Sequence, residues 1–381
     1  MDRLACVQRA RAPPNNSSCL VEIMKDIEWE KFLSDNEGLL LIPGAIYKSY
    51  GPKDYIGAAL AVSGTLYFKG AHTPAGRAAV LECFAAYKKI ADAHLQWFIY
   101  DGAPPVEYAA AKNLAEILKS AKEEAPIFSY TSGKDHRDAG PYEFHLFSRQ
   151  GWHVDMGRGL NGLRFALPLL LVETNPTAFI SLFVSFAKLL QAESGHGGYG
   201  LVLSKEEEFE NQPTEAVVAE QLLGMDVGSV RVSSRYAAGG LKTVSWLTAV
   251  NKSMLAQLDG KDGLYALQGE LPSPWYAYYD YGNGVVIQAG PQPEACSVSD
   301  DPRPARYVLV NMLLKQFRSK KVRDFHGEPR TGEPYLGLAS TAAWMQRFDV
   351  PEDELLYYKK KLLQEPKLQD GSYLPDGRIS A

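Results

Sequence analysis

The sequence predicts an α+β fold of two related halves, each a mostly antiparallel sheet with helices packed on one face, followed by a helical C-terminal part. Three observations carry this. Segments of strand and helix spacing follow the order strand–helix–strand–helix–strand–strand twice, offset by about 100 residues. Within each half the last two strands are joined by a turn or one polar loop, as antiparallel neighbours are. From Arg303 onward the chain shows only helical spacing and a Gly/Pro-rich connection.

Taken in order, residues 1–54 read as an arm. Pro13, Pro14, Asn15, Asn16, Ser17 and Ser18 open it, and a short amphipathic helix fits Met24–Ser34. The first half, 55–155, begins with the strand GAALAVSGTLYFKG (57–70). Thr73-Pro74 starts a helix with proline where no N–H is needed, and residues 80, 81, 84 and 87 form its apolar stripe. HLQWFIYDG (94–102) is the next strand and Val106–Ala121 the next helix. PIFSYTS (126–132) and YEFHLFSR (142–149) alternate as two strands across the loop GKDHRDAGP.

The second half, 156–302, repeats the order. LRFALPLLLV (163–172) is a strand, and Thr174-Asn175-Pro176 caps a helix over 177–191. The glycines of SGHGGYG (194–200) form a turn ahead of the strand at 198–205. Ser204 with Glu207 makes a capping box for a helix over 205–223. GLKTVSWLTAVNKSMLAQLDG (240–260) passes from strand spacing at Leu241, Val244, Trp246 and Leu247 to helical spacing at Met254, Leu255 and Leu258. WYAYYDY (275–281) and GVVIQAG (284–290) flank the hairpin signal Gly282-Asn283. In the last part, 303–381, helices are expected at ARYVLVNMLLKQFRS and over 352–364.

Composition narrows the function. With 46% hydrophobic residues in 381, a full core is available. A net charge of −5 argues against a broad basic surface for nucleic acid and leaves room for an acidic face that meets a basic partner. Cys6, Cys19, Cys83 and Cys296 have no metal-ligand spacing and read as reduced thiols of a cytoplasmic protein. The N-terminus lacks a signal-peptide core. The longest apolar run, FALPLLLV (165–172), is too short for a bilayer and contains Pro168, so no membrane association is expected.

The search for chemistry returns little. GWHVDMGRG sets His153 and Asp155 two apart with His145 upstream; on a strand the pair would share a face, as a metal site could use. No third ligand has motif spacing, and a surface loop explains the segment equally. There is no Gly-x-Ser-x-Gly elbow and no phosphate-cradling loop, and Cys83 sits on an apolar helix face. The expectation is no catalytic residue, no metal and no cofactor, with a metal-dependent hydrolase using His153 and Asp155 as the alternative. Glu206, Glu207 and Glu210 complement a helix dipole and equally form a protein-facing patch. Trp275, Tyr276, Tyr278, Tyr279 and Tyr281 beside Asp280 have the composition of a binding surface, or of a sheet core. Glu206, Glu207, Glu210, Tyr279, Asp280, Asp300 and Asp301 are the nominated partner-binding residues, the last two in a Pro-rich loop.

Several blocks together resemble one family: SGTLYFKG, R-AVLECFAAYKK and LQWFIYDG, then GLRFALPLLLVETNPTAFISLFVSFAKLL, VSWLTAVN and GNGVVIQAGPQPE. In this order they are similar to the bacterial type VI secretion immunity proteins of the TsiV-like class, over roughly Tyr55 to Phe317. The arm and the chain beyond about Lys320 have no counterpart in that resemblance. It implies a cytoplasmic antidote, monomer or homodimer, that binds and neutralises a toxic effector, often a nuclease of the restriction-endonuclease-like type. It implies no transferable active-site residues. A binding protein needs a rigid, complementary surface, which suits a chain rich in packed segments such as GLKTVSWLTAVN. An adaptor that loads an effector onto its secretion machinery is the remaining reading.

Overall fold

The computed structural model describes residues 40–48, 54–121, 125–259, 263–299, 303–328 and 332–377; the helix expected at Met24–Ser34 lies outside them, as do Cys6 and Cys19. The strands are β1 (Leu41–Pro43), β2 (Ile56–Phe68), β3 (Trp97–Tyr100), β4 (Val106–Glu107), β5 (Ile127–Thr131) and β6 (Glu143–Phe147), then β7 (Asn161–Pro168), β8 (Ser194–Leu203), β9 (Leu247–Asn251), β10 (Tyr276–Asp280) and β11 (Gly284–Ala289). The helices are α1 (Pro74–Ala91), α2 (Leu114–Ser120), α3 (Gly151–Asp155), α4 (Leu169–Thr174), α5 (Pro176–Leu190) and α6 (Glu208–Gln221). They continue as α7 (Val230–Ala237), α8 (Lys252–Asp259), α9 (Gly263–Glu270), α10 (Ala305–Leu314), α11 (Leu338–Met345) and α12 (Leu355–Leu362).

The fold is α+β. All eleven strands join one antiparallel sheet in the order β10–β11–β9–β8–β2–β7–β6–β5–β3–β4, with β1 beside the start of β2. The strands of residues 55–155 and of residues 156–302 therefore interleave at the centre of one sheet. The opening strands of the two segments, β2 and β7, lie side by side at the centre, and each also pairs with a strand of the opposite segment, β2 with β8 and β7 with β6. Beyond that central pair the strand order differs: β6, β5, β3 on one side and β8, β9, β11, β10 on the other.

Helices cover both faces of this sheet. On one, α1 and α5 pack over Val62, Leu66 and Phe165, with the Phe165 ring 5.0 Å from Phe179 and 4.9 Å from Phe186. A Cβ at Gly64 would come within 2.9 Å of Phe165 and Phe183, so glycine is what lets α5 close on β2. On the other face lie α6 and α7; Val230 of α7 fills the space over Gly162. Trp246 is fully buried, stacks 5.8 Å from Phe179 and donates its indole N–H to the Gly290 carbonyl at 2.9 Å. The strand expected from Leu241 starts only at Leu247; the residues before it are buried without joining the sheet as a strand.

Local chemistry explains several boundaries. Thr73 caps α1, its Oγ1 accepting from the Gly76 N–H at 3.0 Å, with Pro74 in the first turn. The run expected as one strand over 163–172 stops at Pro168, which supplies no N–H, and continues as α4. The helix expected over Val106–Ala121 begins only after the Asn113 cap; β4 and a 3-10 turn come first. SGHGGYG is not a turn but the first part of β8. Cβ atoms at Gly195, Gly198 and Gly200 would meet Leu66, Ser245 and Ser63 within 2.6 Å, so these glycines serve close packing on both faces.

Candidate partner-binding surface

The structure scatters the nominated residues. Ser204 Oγ accepts from the Glu207 N–H at 3.2 Å, half of the expected capping box, and α6 starts at Glu208. Glu206 is exposed in the turn before it. Glu210 lies in the first turn with its carboxylate 2.9 Å from the buried Lys48 ammonium, so it already has a partner within the chain. Around Glu206 stand His136 at 3.9 Å and, beyond it, Arg137 between Asp54 and Asp135 at 3.7 and 3.6 Å. These carboxylates share one end of the sheet, where Ser204 N–H and Ala139 N–H bond to the start of β2.

The aromatic strand corrects an expectation. Alternation was expected to expose half of WYAYYDY, yet Trp275, Tyr276, Tyr278, Tyr279 and Tyr281 are all buried. The cause is that β10 is covered on both sides. Tyr276 and Tyr278 donate to the carbonyls of Arg306 and Leu271, at 3.1 and 2.7 Å. Tyr279 donates to Gln288 Oε1 at 2.5 Å and accepts from the Leu374 N–H, because the C-terminal segment folds back over this strand. Tyr279, at 1% exposure, is a core residue and no contact for a partner. Asp280 is exposed, closing the hairpin by accepting from the Gly282 N–H at 2.7 Å. Asp300 and Asp301 lie outside the described residues.

Asp280 and Glu206 stand at opposite ends. The β10–β11 turn is tied to the start of β8 by Tyr281 and Asn283, which bond to the Ala192 carbonyl. Glu206 follows the end of β8, ten residues on. At roughly 3.3 Å per residue the separation is about 33 Å.

The inner surface under α6 and α7 is polar in a way the sequence did not signal. Register aligns Ser129, His145, Arg164, Thr65, His196 and Thr248 in one row across six strands. Three buried ion pairs and bridges answer this row. Glu143 lies 2.6 Å from Lys205 and 3.3 Å from Arg164. Asp226 lies 2.7 Å from Lys242 and 3.1 Å from His196. Glu215 meets His326 at 2.6 Å and the Gly228 N–H at 2.7 Å. Burial pushes the Asp226 carboxyl up, but His196 and Lys242 outweigh it and hold it well below the usual carboxylate range. Burial, then the Lys205 charge, drives His145 down to about 3. A narrow crevice beside α6 is lined by Glu143, Arg164, Lys205, Glu208, Gln212 and Glu215, charges that largely neutralise one another.

His153 and Asp155 lie on α3, a short helix and not a strand, so they do not share a face as strand neighbours would. His153 stacks on Trp152 at 3.7 Å, and His145 is engaged by Ser129 Oγ at 2.8 Å. Among the described residues no group of three or more His, Cys, Asp or Glu is placed to hold a metal ion, and no helix is long and apolar enough to cross a membrane.

Comparison with known proteins shows the family. A family model described as type VI immunity for VRR-NUC, TsiV, matches residues 79–348. The chain belongs to this family. Among solved structures, the TsiV chain is similar to Pseudomonas aeruginosa T6SS protein PA0821. Identity is 37% and TM-score 0.84, over 93% of this chain and 99% of that one. No curated protein matches. The matched span contains the polar row except Thr65 of β2, together with α3, α6, α7 and Asp280.

Proposed function

We propose that this TsiV protein is a non-catalytic, cytoplasmic antidote that binds the VRR-NUC effector named in its family's description and occludes it. The family match over 79–348 carries the reading, and the similarity to a type VI secretion protein along nearly all of both chains supports it. A nuclease holds phosphates with Lys and Arg, so an inhibitor that competes for that surface gains on-rate and specificity from carboxylates. Glu206, with Asp54 and Asp135 beside it, offers such carboxylates at one end of the sheet, and Asp280 offers one at the other. The buried charges beneath α6 hold these positions on a rigid frame.

The test is co-production of the chain with its effector's nuclease domain, scored by host survival and by binding kinetics. Wild type is expected to protect and to bind tightly. Glu206→Lys combined with Asp54→Lys is expected to slow association by roughly tenfold at low salt and to flatten the salt dependence. A wild-type chain that neither binds the nuclease nor protects the cell would sink the reading, as would turnover of nucleic acid by the chain itself.

A further inference from the structure

We infer that α3 and α7 build a second docking surface, cationic and aromatic, that receives an acidic face of the effector, with Trp152 as its anchor. This rests on the effector-binding reading above.

The local sequence builds the surface in two steps. α3 buries only Val154, which packs with Tyr67, Leu160 and Ala237. Trp152 and Met156, one helical turn apart, are 51% and 59% exposed. Gly157 and Gly159 then reverse the chain at φ +65° and +136°. A Cβ at Gly159 would meet Arg149 at 2.6 Å and the Ser234 carbonyl at 3.0 Å, so this path admits only glycine. α7, capped by Ser229 Oγ, buries Val230, Ser233, Ser234 and Ala237, which leaves Arg231 and Arg235 facing solvent from successive turns.

Trp152 is fixed before any partner arrives. Its indole N–H donates to Gln150 Oε1 at 2.6 Å, the His153 ring stacks on it, and the Arg158 guanidinium lies 5.9 Å from its ring. An exposed tryptophan already held in one rotamer loses little entropy on binding, and Trp and Arg are the residues that dominate interface energies. Beside it, half-buried Arg149 donates to Ser234 Oγ at 3.2 Å and lies over the Phe147 ring at 5.1 Å. Burial, then the charges of Arg235 and Arg231, holds its pKa below the ordinary arginine range. Among the described residues' ion pairs none involves Arg149, Arg158, Arg231 or Arg235. Four guanidiniums outnumber the one carboxylate of α3, Asp155, and none of the four is ion-paired among the described residues, which leaves a positive excess that an acidic partner relieves. The surface is an exposed helix face with the apolar Met156 one turn from Trp152, which suits an apolar pocket rimmed by Asp and Glu. A nucleic-acid strand is instead tracked by a basic groove with successive stacking platforms.

The experiment measures binding of the full chain to its effector's purified VRR-NUC domain at low and high salt. Trp152→Ala is expected to weaken binding about 30-fold, mostly by faster dissociation. Arg231→Glu with Arg235→Glu is expected to slow association by roughly tenfold at low salt and remove much of the salt dependence. All three side chains are exposed, and unchanged thermal melts will show that the variants fold. Wild-type binding with both variants within about twofold of it would overturn this surface while leaving the effector reading intact. A wild-type chain that does not bind the nuclease removes both. Trp152-dependent binding of a single-stranded oligonucleotide, with effector affinity unchanged in the variants, would overturn it in favour of nucleic acid.

Discussion

Asp226→Asn tests how far the buried charges hold the sheet to its cover. The carboxylate accepts from Lys242 Nζ at 2.7 Å and lies 3.1 Å from His196 Nε2, all three residues being nearly inaccessible. Asn keeps the volume and one acceptor but removes the charge, leaving an ammonium with no carboxylate beside it, only neutral oxygens and the faces of Phe325 and Trp344. Losing one partner of a buried pair costs about 3–5 kcal/mol. An independent bound comes from the lysine, which can shed its proton: from an ordinary pKa of about 10.4 that costs about 4.6 kcal/mol at pH 7. The two figures agree, so the variant is expected to lose about 3–4.5 kcal/mol in urea unfolding followed by tryptophan fluorescence. The pH dependence identifies the cause. With Lys242 neutral in the folded variant, the unfolded chain binds one more proton between pH 7 and about 10, so stability rises with pH by about 1.4 kcal/mol per unit. The deficit against wild type is then smaller at pH 9 by about 2.7 kcal/mol. A deficit below about 1 kcal/mol, or one equal at both pH values, would refute the reasoning.

Two further outcomes can be checked by the same unfolding assay. Tyr279→Ala is expected to cost about 3–5 kcal/mol because it empties a core site and strands Gln288, whereas Asp280→Ala, exposed in its turn, stays within about 1 kcal/mol. His145 is held neutral down to about 3, so the unfolded state takes up its proton first as pH drops below about 6.5. Wild type should therefore lose up to about 1.4 kcal/mol per pH unit below 6.5 from this group, full stability lying above that pH, and His145→Asn should lack that component.

What could be read from the sequence was what neighbouring residues decide. Thr73-Pro74 and the Gly282-Asn283 hairpin act within one or two turns of chain, and each element stands where its pattern put it, whereas the strand spacing from Leu241 becomes a strand only at Leu247. What could not be read depends on partners distant in sequence. The fate of Tyr279 was set by a tail some 95 residues downstream. The glycines of β8 look like a turn until Ser63, Leu66 and Ser245 press against them. The inward charges of EFHLF and NGLRFALP become a network only once register sets Glu143, His145 and Arg164 in line with β2 and β8. Period-two placement of charge in otherwise apolar strands was a signal, but one that only register can interpret. The segment GWHVDMGRG carries Trp152 and Arg158 in plain view, but the arginines of α7 that join Arg149 beside it lie some 80 residues later.

The geometry also constrains how an effector engages this molecule. Glu206 follows the end of β8, while α3 lies at the opposite end, where Val154 packs on Tyr67, the register partner of Ser194 at the start of β8. A standard interface covers about 800 Å² per partner, a disc about 30 Å across. Ten residues of strand already span about that distance. An effector held by both the carboxylates near Glu206 and the guanidiniums near Trp152 must therefore run along the molecule and bury more than a standard interface does, in the range of permanent complexes. That length demands a frame that does not flex between its ends. The buried row from Ser129 to Thr248 supplies one: it crosses six strands, and ion pairs at Glu143, Arg164 and His196 tie β6, β7 and β8 to Lys205 ahead of α6 and to Asp226 with Lys242. Charges buried so completely bring little net stability over apolar packing, but each admits one partner at one distance. For an effector held at both proposed ends, about 30 Å apart, that register fixes the relative position of the two.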